Sequence, residues 1–171
     1  MSRLRWSSSV CLWRAWRRRS TSKRASRTSG TSRNGAATVS AEVSVPIERD
    51  ADIVTARQEG RQLAAAAGFS SADQTIIALA ISEITRNIVS YAQRGKVTLS
   101  RMDEGGRRGI LIVAQDDGPG IPDIDLAMRD GYSTAKSLGV GLPGARRVMD
   151  EFELVSALGK GTTVTMKKWL R

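Results

Sequence analysis

The chain has 171 residues, 26% of them charged and 40% hydrophobic, with a formal net charge of +10. That length suffices for one domain with a core, while no apolar run approaches the roughly 20 residues that a bilayer-spanning helix needs. One cysteine, Cys11, and no histidine exclude intrachain disulfides, cysteine zinc sites, histidine triads and phosphohistidine transfer within this chain.

The charge is unevenly placed. Residues 1–38 carry ten Arg and Lys and no acid, so the remaining 17 basic side chains face all 17 acidic ones. The basic character therefore belongs to a Ser- and Arg-rich tail, and residues 39–171 form a neutral domain. Too few periodic apolar positions occur in the tail to build a core, so disorder is expected there. Three readings of it stand side by side. Trp6, Trp13 and Trp16 among arginines suit a nucleic acid or an anionic membrane. Arg and Ser without acids fit a transit segment. The third reading is that the start is placed too early. A later start near Val39 or Val43 would need a non-Met codon, since no Met falls between Met1 and Met102.

In chain order, "TVSAEVSVPIE" (38–48) alternates around Val39, Val43 and Val45 and predicts an edge strand that tolerates Pro46. Asp50 or Asp52 can cap a helix whose apolar face is Ile53, Ala56, Gly60, Leu63 and Ala67, ended by Gly68. Ser70 or Ser71 can cap a second, longer helix with an Ile77–Ile81–Ile84–Ile88 stripe, closed near Gly95. "KVTLSRMDE" and "RRGILIVAQDD" predict two strands around a Gly105-Gly106 turn. After a glycine-rich stretch, "GLPGARRVMDEF" predicts a helix with Pro143 in its first turn and Ala145, Val148, Met149 and Phe152 buried. "ELVSAL" and "TTVTMKKWL" predict a closing hairpin.

Helices group together and strands group together. The fold class is α+β, with a mixed or mostly antiparallel sheet and helices packed on one face. It is not a βαβ dinucleotide unit, and "GVGLPGA" lacks the lysine of a P-loop.

Four features carry chemistry. Glu83 and Asn87 lie four apart on the second helix, so they leave the same side beside the isoleucine stripe. Asp116-Asp117-Gly118-Pro119-Gly120 sets a carboxylate at a strand end against a glycine turn, which suits an exocyclic amine on a flat ring; a plain Asp-Gly turn is the alternative. Gly139-Val140-Gly141-Leu142-Pro143-Gly144 feeds a helix N-terminus whose N–H groups suit phosphate oxygens. Gly159-Lys160-Gly161-Thr162-Thr163 reads alone as a hairpin turn.

Taken in this order, E-x-x-x-N, D-x-G-x-G, G-x-G and a late G-x-G-T resemble the nucleotide boxes of the gyrase–Hsp90–histidine kinase–MutL (GHKL) ATPase superfamily. "AISEITRNIVSYA", "DDGPGIPDIDLAMRDGYST" and "GLPGARRVMDEFE…GKGTTVTMKKWL" are similar to RsbT-type serine/threonine kinases, the switch kinases of bacterial stressosomes. The likeness covers about residues 40–171 and not the tail.

The resemblance implies a Bergerat-type ATPase sandwich that uses ATP and Mg²⁺. By it, Asp116 accepts from the adenine amine, Gly118 and Gly120 line the base pocket, and Thr162 touches its base side. Asn87 holds Mg²⁺, and Glu83 is the general base or orients the attacking hydroxyl. Ile121 to Leu138 form a lid, within which Lys136 reaches a phosphate or is a solvated lid lysine; Gly139, Gly141 and Leu142 lie at the phosphates. The implied partners are STAS-domain scaffold proteins (RsbS/RsbR-like) and a PP2C-type phosphatase (RsbU-like), in the cytoplasm, with no membrane or nucleic acid for the folded domain. Three alternatives remain: an anti-sigma factor kinase, nucleic-acid binding through the tail, and a pseudo-kinase using ATP structurally.

Overall fold

Strand β1 (Thr38–Ile47) lies at one edge of the sheet, where Pro46 costs no ladder bond that a central strand would require. The computed structural model describes residues 37–129 and 141–171, all within the unit Gly35–Arg171. Readings that fall on the tail up to residue 36, and on Lys136 and Gly139, lie outside the described residues.

Helix α1 (Asp50–Ala67) is capped from within: Asp52 Oδ2 accepts from the N–H groups of Glu48 and Arg49 at 2.9 and 3.0 Å. It buries Ile53, Ala56, Gly60, Leu63 and Ala64, and ends at Gly68 with φ +95°. Ala64 takes the buried place expected of Ala67, which is only half-buried. Helix α2 (Ser71–Asn87) starts on Ser70, whose Oγ accepts from Asp73 N–H at 3.1 Å. Its isoleucines 77, 81 and 84, and Ile88 just past its end, are all buried. Each fully buried Ile contributes roughly 1.5–3 kcal/mol, so packing holds this helix more than propensity does.

Strands β2 (Gly95–Glu104) and β3 (Arg107–Asp116) form a hairpin in register from Gly95↔Asp116 to Glu104↔Arg107, with Gly105-Gly106 as the two-residue turn. A short helix α3 (Ile124–Ala127) follows, then α4 (Gly141–Val148), β4 (Glu151–Ser156) and β5 (Thr162–Trp169). The strand order is β1-β2-β3-β5-β4, antiparallel at each pairing. The row Leu99–Ile112–Met166 crosses three strands and packs with the α2 stripe in one core. Thus α1 and α2 cover one face, as expected of the α+β class.

One expectation needs correction. The last helix stops at Val148, not Phe152. Asp150 N–H donates to Lys167 O at 3.0 Å, and its Oδ2 accepts from Trp169 N–H at 2.8 Å, so the chain turns there into β4, which holds Phe152. Helix α2 runs on as a π-helical turn, Ile88–Ala92, and the chain reverses at Gln93 with φ +67°; Gly95 lies just beyond that end, as expected, and opens β2. Within the predicted lid, of which residues 130–138 lie outside the described ones, α3 is capped by Asp123 Oδ1 accepting from Leu126 N–H at 2.9 Å.

Candidate active site

A cavity of about 330 Å³ opens between α2, the ends of β3 and β5, and α3. Its apolar wall is Ile84 and Ile88 from the isoleucine stripe, Ala114 and Val164 from the sheet, Ile121 from the strap after β3, Leu126 from α3 and Leu142 from α4. Polar groups sit at its two ends, as a ligand pocket of mixed character requires.

Asp116 ends β3 at one of them. Its Oδ1 accepts from Gly118 N–H at 2.9 Å and from Thr162 N–H at 3.2 Å. Both bonds fall on the same oxygen, and no described residue bonds Oδ2. Burial pushes the Asp116 carboxyl above the usual carboxylate range; the two N–H bonds oppose that rise and the neighbouring Asp117 charge adds to it. Gly161 closes this corner with φ +78°, and a Cβ there would overlap the Asp116 carbonyl oxygen, so only glycine fits.

The predicted glycines divide. Gly120 lines the cavity with φ +76°, and a Cβ on it would overlap Ala157 O. Gly118 is not among the lining residues; its Cα faces Ala92 of the π-helical turn, so its small size serves that seam. Thr162 lines the cavity, as expected.

At the other end, Gly141 opens α4 and lines the cavity together with Leu142 and Asn87. Glu83 is buried, at 7% exposure, and does not line it. Its Oε2 instead accepts from Gly141 N–H at 3.1 Å. Helix geometry therefore brings Glu83 to the start of α4 and Asn87 to the cavity one turn on. Of the ten predicted residues, Asn87, Asp116, Gly120, Gly141, Leu142 and Thr162 meet around one cavity, with Glu83 bonded to its rim.

The sequence reading missed Tyr91, which lines the cavity at 49% exposure. It lies four residues after Asn87, so the spacing that pairs Glu83 with Asn87 would have found it. It also missed Ser156, which joins two cavity-wall segments, at Ile121 and at Thr162, and carries no motif signal.

The sequence profile of the histidine kinase-like ATPase domain matches residues 47–168. The chain belongs to this ATPase family. Serine/threonine-protein kinase RsbT of Bacillus subtilis (strain 168) is 50% identical over 127 residues, which are 74% of this chain and 96% of that protein. The anti-sigma F factor of Thermoanaerobacter sp. (strain X514) is 32% identical over 100 residues, 55% of this chain and 68% of its own. That of Clostridium kluyveri (strain ATCC 8527) is 32% identical over 117 residues, 63% and 82%. The enzyme class is protein serine/threonine kinase, using ATP. No helix among the described residues is long and apolar enough to cross a membrane.

Proposed function

We propose that the chain transfers the γ-phosphoryl group of ATP to a serine or threonine of a STAS-domain scaffold protein. Once released from that scaffold, it binds and activates a PP2C-type phosphatase, which frees a sigma factor. In this reading residues 39–171 are the kinase domain, residues 1–38 are a basic extension, and the system is cytoplasmic.

The observation that carries the nucleotide site is the Asp116 corner. One carboxylate oxygen is tied to two backbone N–H groups and the other is left for a ligand donor. An adenine amine fits it. A keto oxygen would face an unpaired acceptor at a cost of roughly 1–3 kcal/mol. Gly141 and Leu142, at the far end of the same cavity, would take the phosphates against the N-terminus of α4.

Glu83 is the proposed base. Its Oε2 is held by Gly141 N–H, and Oε1 is unbonded among the described residues. A positioned carboxylate of this kind contributes typically about 10²–10⁴-fold to such a transfer.

For the metal, no group of three or more His, Cys, Asp or Glu gathers among the described residues. Asn87 offers one neutral oxygen at the cavity. That donor set fits Mg²⁺ carried mainly by phosphate oxygens and water, with Asn87 as its protein contact. When bound, the ion neutralises charge on the phosphates.

The test is direct. The purified chain is mixed with ATP, Mg²⁺ and a candidate STAS-domain partner, and the partner is read by mass spectrometry. One phosphate on a partner serine or threonine is expected. No transfer while the chain still binds ATP would refute the substrate assignment. The 32% identity to anti-sigma F factors favours one second reading, in which this kinase binds a sigma factor itself. Stable co-elution with a sigma factor, and none with the phosphatase, would select it.

A further inference from the structure

Ser156 ends β4 and is paired in register with Thr162, so the two side chains stand on the same face of the sheet. Three contacts meet at its hydroxyl. Ile121 N–H donates to Ser156 Oγ at 2.9 Å. Ser156 Oγ lies 3.1 Å from Gly161 O and 3.0 Å from Thr162 Oγ1.

The donor count fixes the direction of each bond. A serine hydroxyl has one proton and two acceptor positions. A carbonyl has no proton to give, so the Ser156 proton goes to Gly161 O. The Ile121 N–H takes one acceptor position. The remaining one is left for Thr162, so the Thr162 hydroxyl donates to Ser156. Thr162 lines the cavity, and with its proton turned to Ser156 its Oγ1 offers the cavity only lone pairs. Asp116 Oδ2, in the same corner, offers the same.

We infer that Ser156 is a positioning residue for base selection. By holding the Thr162 proton it turns the base end of the cavity into a two-acceptor site, which takes a purine with a 6-amino group and rejects one with a 6-keto group. The inference rests on the proposed ATP site and adds to it a residue outside the nucleotide boxes. The Ile121 bond extends the role. The same hydroxyl ties down the strap between β3 and α3, whose Gly120 and Ile121 form a cavity wall.

The experiment compares ATP with inosine triphosphate, whose base carries the 6-keto group, by calorimetry with Mg²⁺. The chain and its Ser156→Ala, Ser156→Thr and Thr162→Val variants are titrated with each. In the unaltered chain ATP binds tighter than inosine triphosphate. Ser156→Ala frees the Thr162 hydroxyl to donate to a keto oxygen, so the preference for ATP should shrink about tenfold, the ratio that one such bond carries. Ser156→Thr, which keeps the hydroxyl, should restore it. Added to Thr162→Val, Ser156→Ala should no longer change the ratio, because the hydroxyl it directs is gone.

A merely structural role would lower the melting temperature and weaken both nucleotides alike. An unchanged ratio in Ser156→Ala, with ATP still bound, overturns the inference and leaves the ATP site standing. No ATP binding by the unaltered chain removes the site and this inference together.

Discussion

The two ends of the cavity are held differently. At the base end, Asp116, Ser156, Gly161 and Thr162 are joined by hydrogen bonds that cross from β3 to β4 and β5, and Gly161 packs where no side chain fits. At the phosphate end Gly141 N–H donates to Glu83 Oε2, which joins α4 to α2 beside the cavity. A site that must always recognise the same base gains from a corner locked before binding. The phosphate end instead joins two helices through the carboxylate proposed as the base.

The largest test strikes the phosphate end. Glu83→Gln keeps an oxygen to accept from Gly141 N–H but cannot take a proton from the attacking hydroxyl. Phosphoryl transfer should fall about 10²–10⁴-fold, with ATP affinity nearly unchanged by calorimetry. A rate within a few-fold of the unaltered chain would remove Glu83 as the base and favour a pseudo-kinase.

Gly161→Ala strikes the locked end. A side chain there meets both a positive φ and the Asp116 carbonyl, so stability should drop by about 3 kcal/mol, read as a lower urea midpoint. An unshifted midpoint would mean that the corner is looser than its geometry.

Asp116→Asn separates lock from recognition. The amide oxygen can still accept from Gly118 and Thr162, which turns the NH₂ group toward the ligand. ATP affinity should fall by about 2 kcal/mol, roughly thirtyfold. The melting temperature at neutral pH should hold or rise, because a desolvated charge is gone. A variant that binds ATP as before places the base elsewhere.

The smallest effect is a pH dependence. Burial raises the Asp116 pKa in the folded chain. The folded state thus keeps this proton to a higher pH than the unfolded chain does. The resulting stabilisation is full below the unfolded pKa and is lost as pH rises through the folded one. ATP needs the deprotonated carboxylate, so its affinity should fall as pH drops through that raised pKa, earlier than an ordinary aspartate would allow. Asp117→Asn should move the fall to lower pH, since the Asp117 charge contributes to the rise. A fall that does not move with Asp117 would assign it to another group.

The same contrast explains what was legible in the sequence. Local periodicity showed the α2 stripe and the β2–β3 hairpin, because burial on one face writes itself every three to four residues in a helix and every two in a strand. The late glycine box reads as a hairpin turn, and the close approach of Gly161 to the Asp116 backbone comes only with the fold. What local pattern could not show depends on distant partners. Helix α4 ends at Val148, where Lys168 Nζ donates to Val148 O at 2.9 Å and Asp150 bonds β5. Apolar spacing through Phe152 points past that end. The π-helical turn before Gln93 has no breaker residue to announce it. Ser156 is an ordinary strand serine until the fold sets it beside Ile121, 35 positions away in sequence. Asp123 before "IDLA" was a readable cap, hidden by treating the whole glycine-rich stretch as a lid.

The most direct measurement is calorimetric titration of the folded chain with ATP and with ADP in the presence of Mg²⁺. A purine seated on Asp116 predicts saturable heat with one site per chain for both nucleotides. No heat for either at millimolar concentration would contradict it.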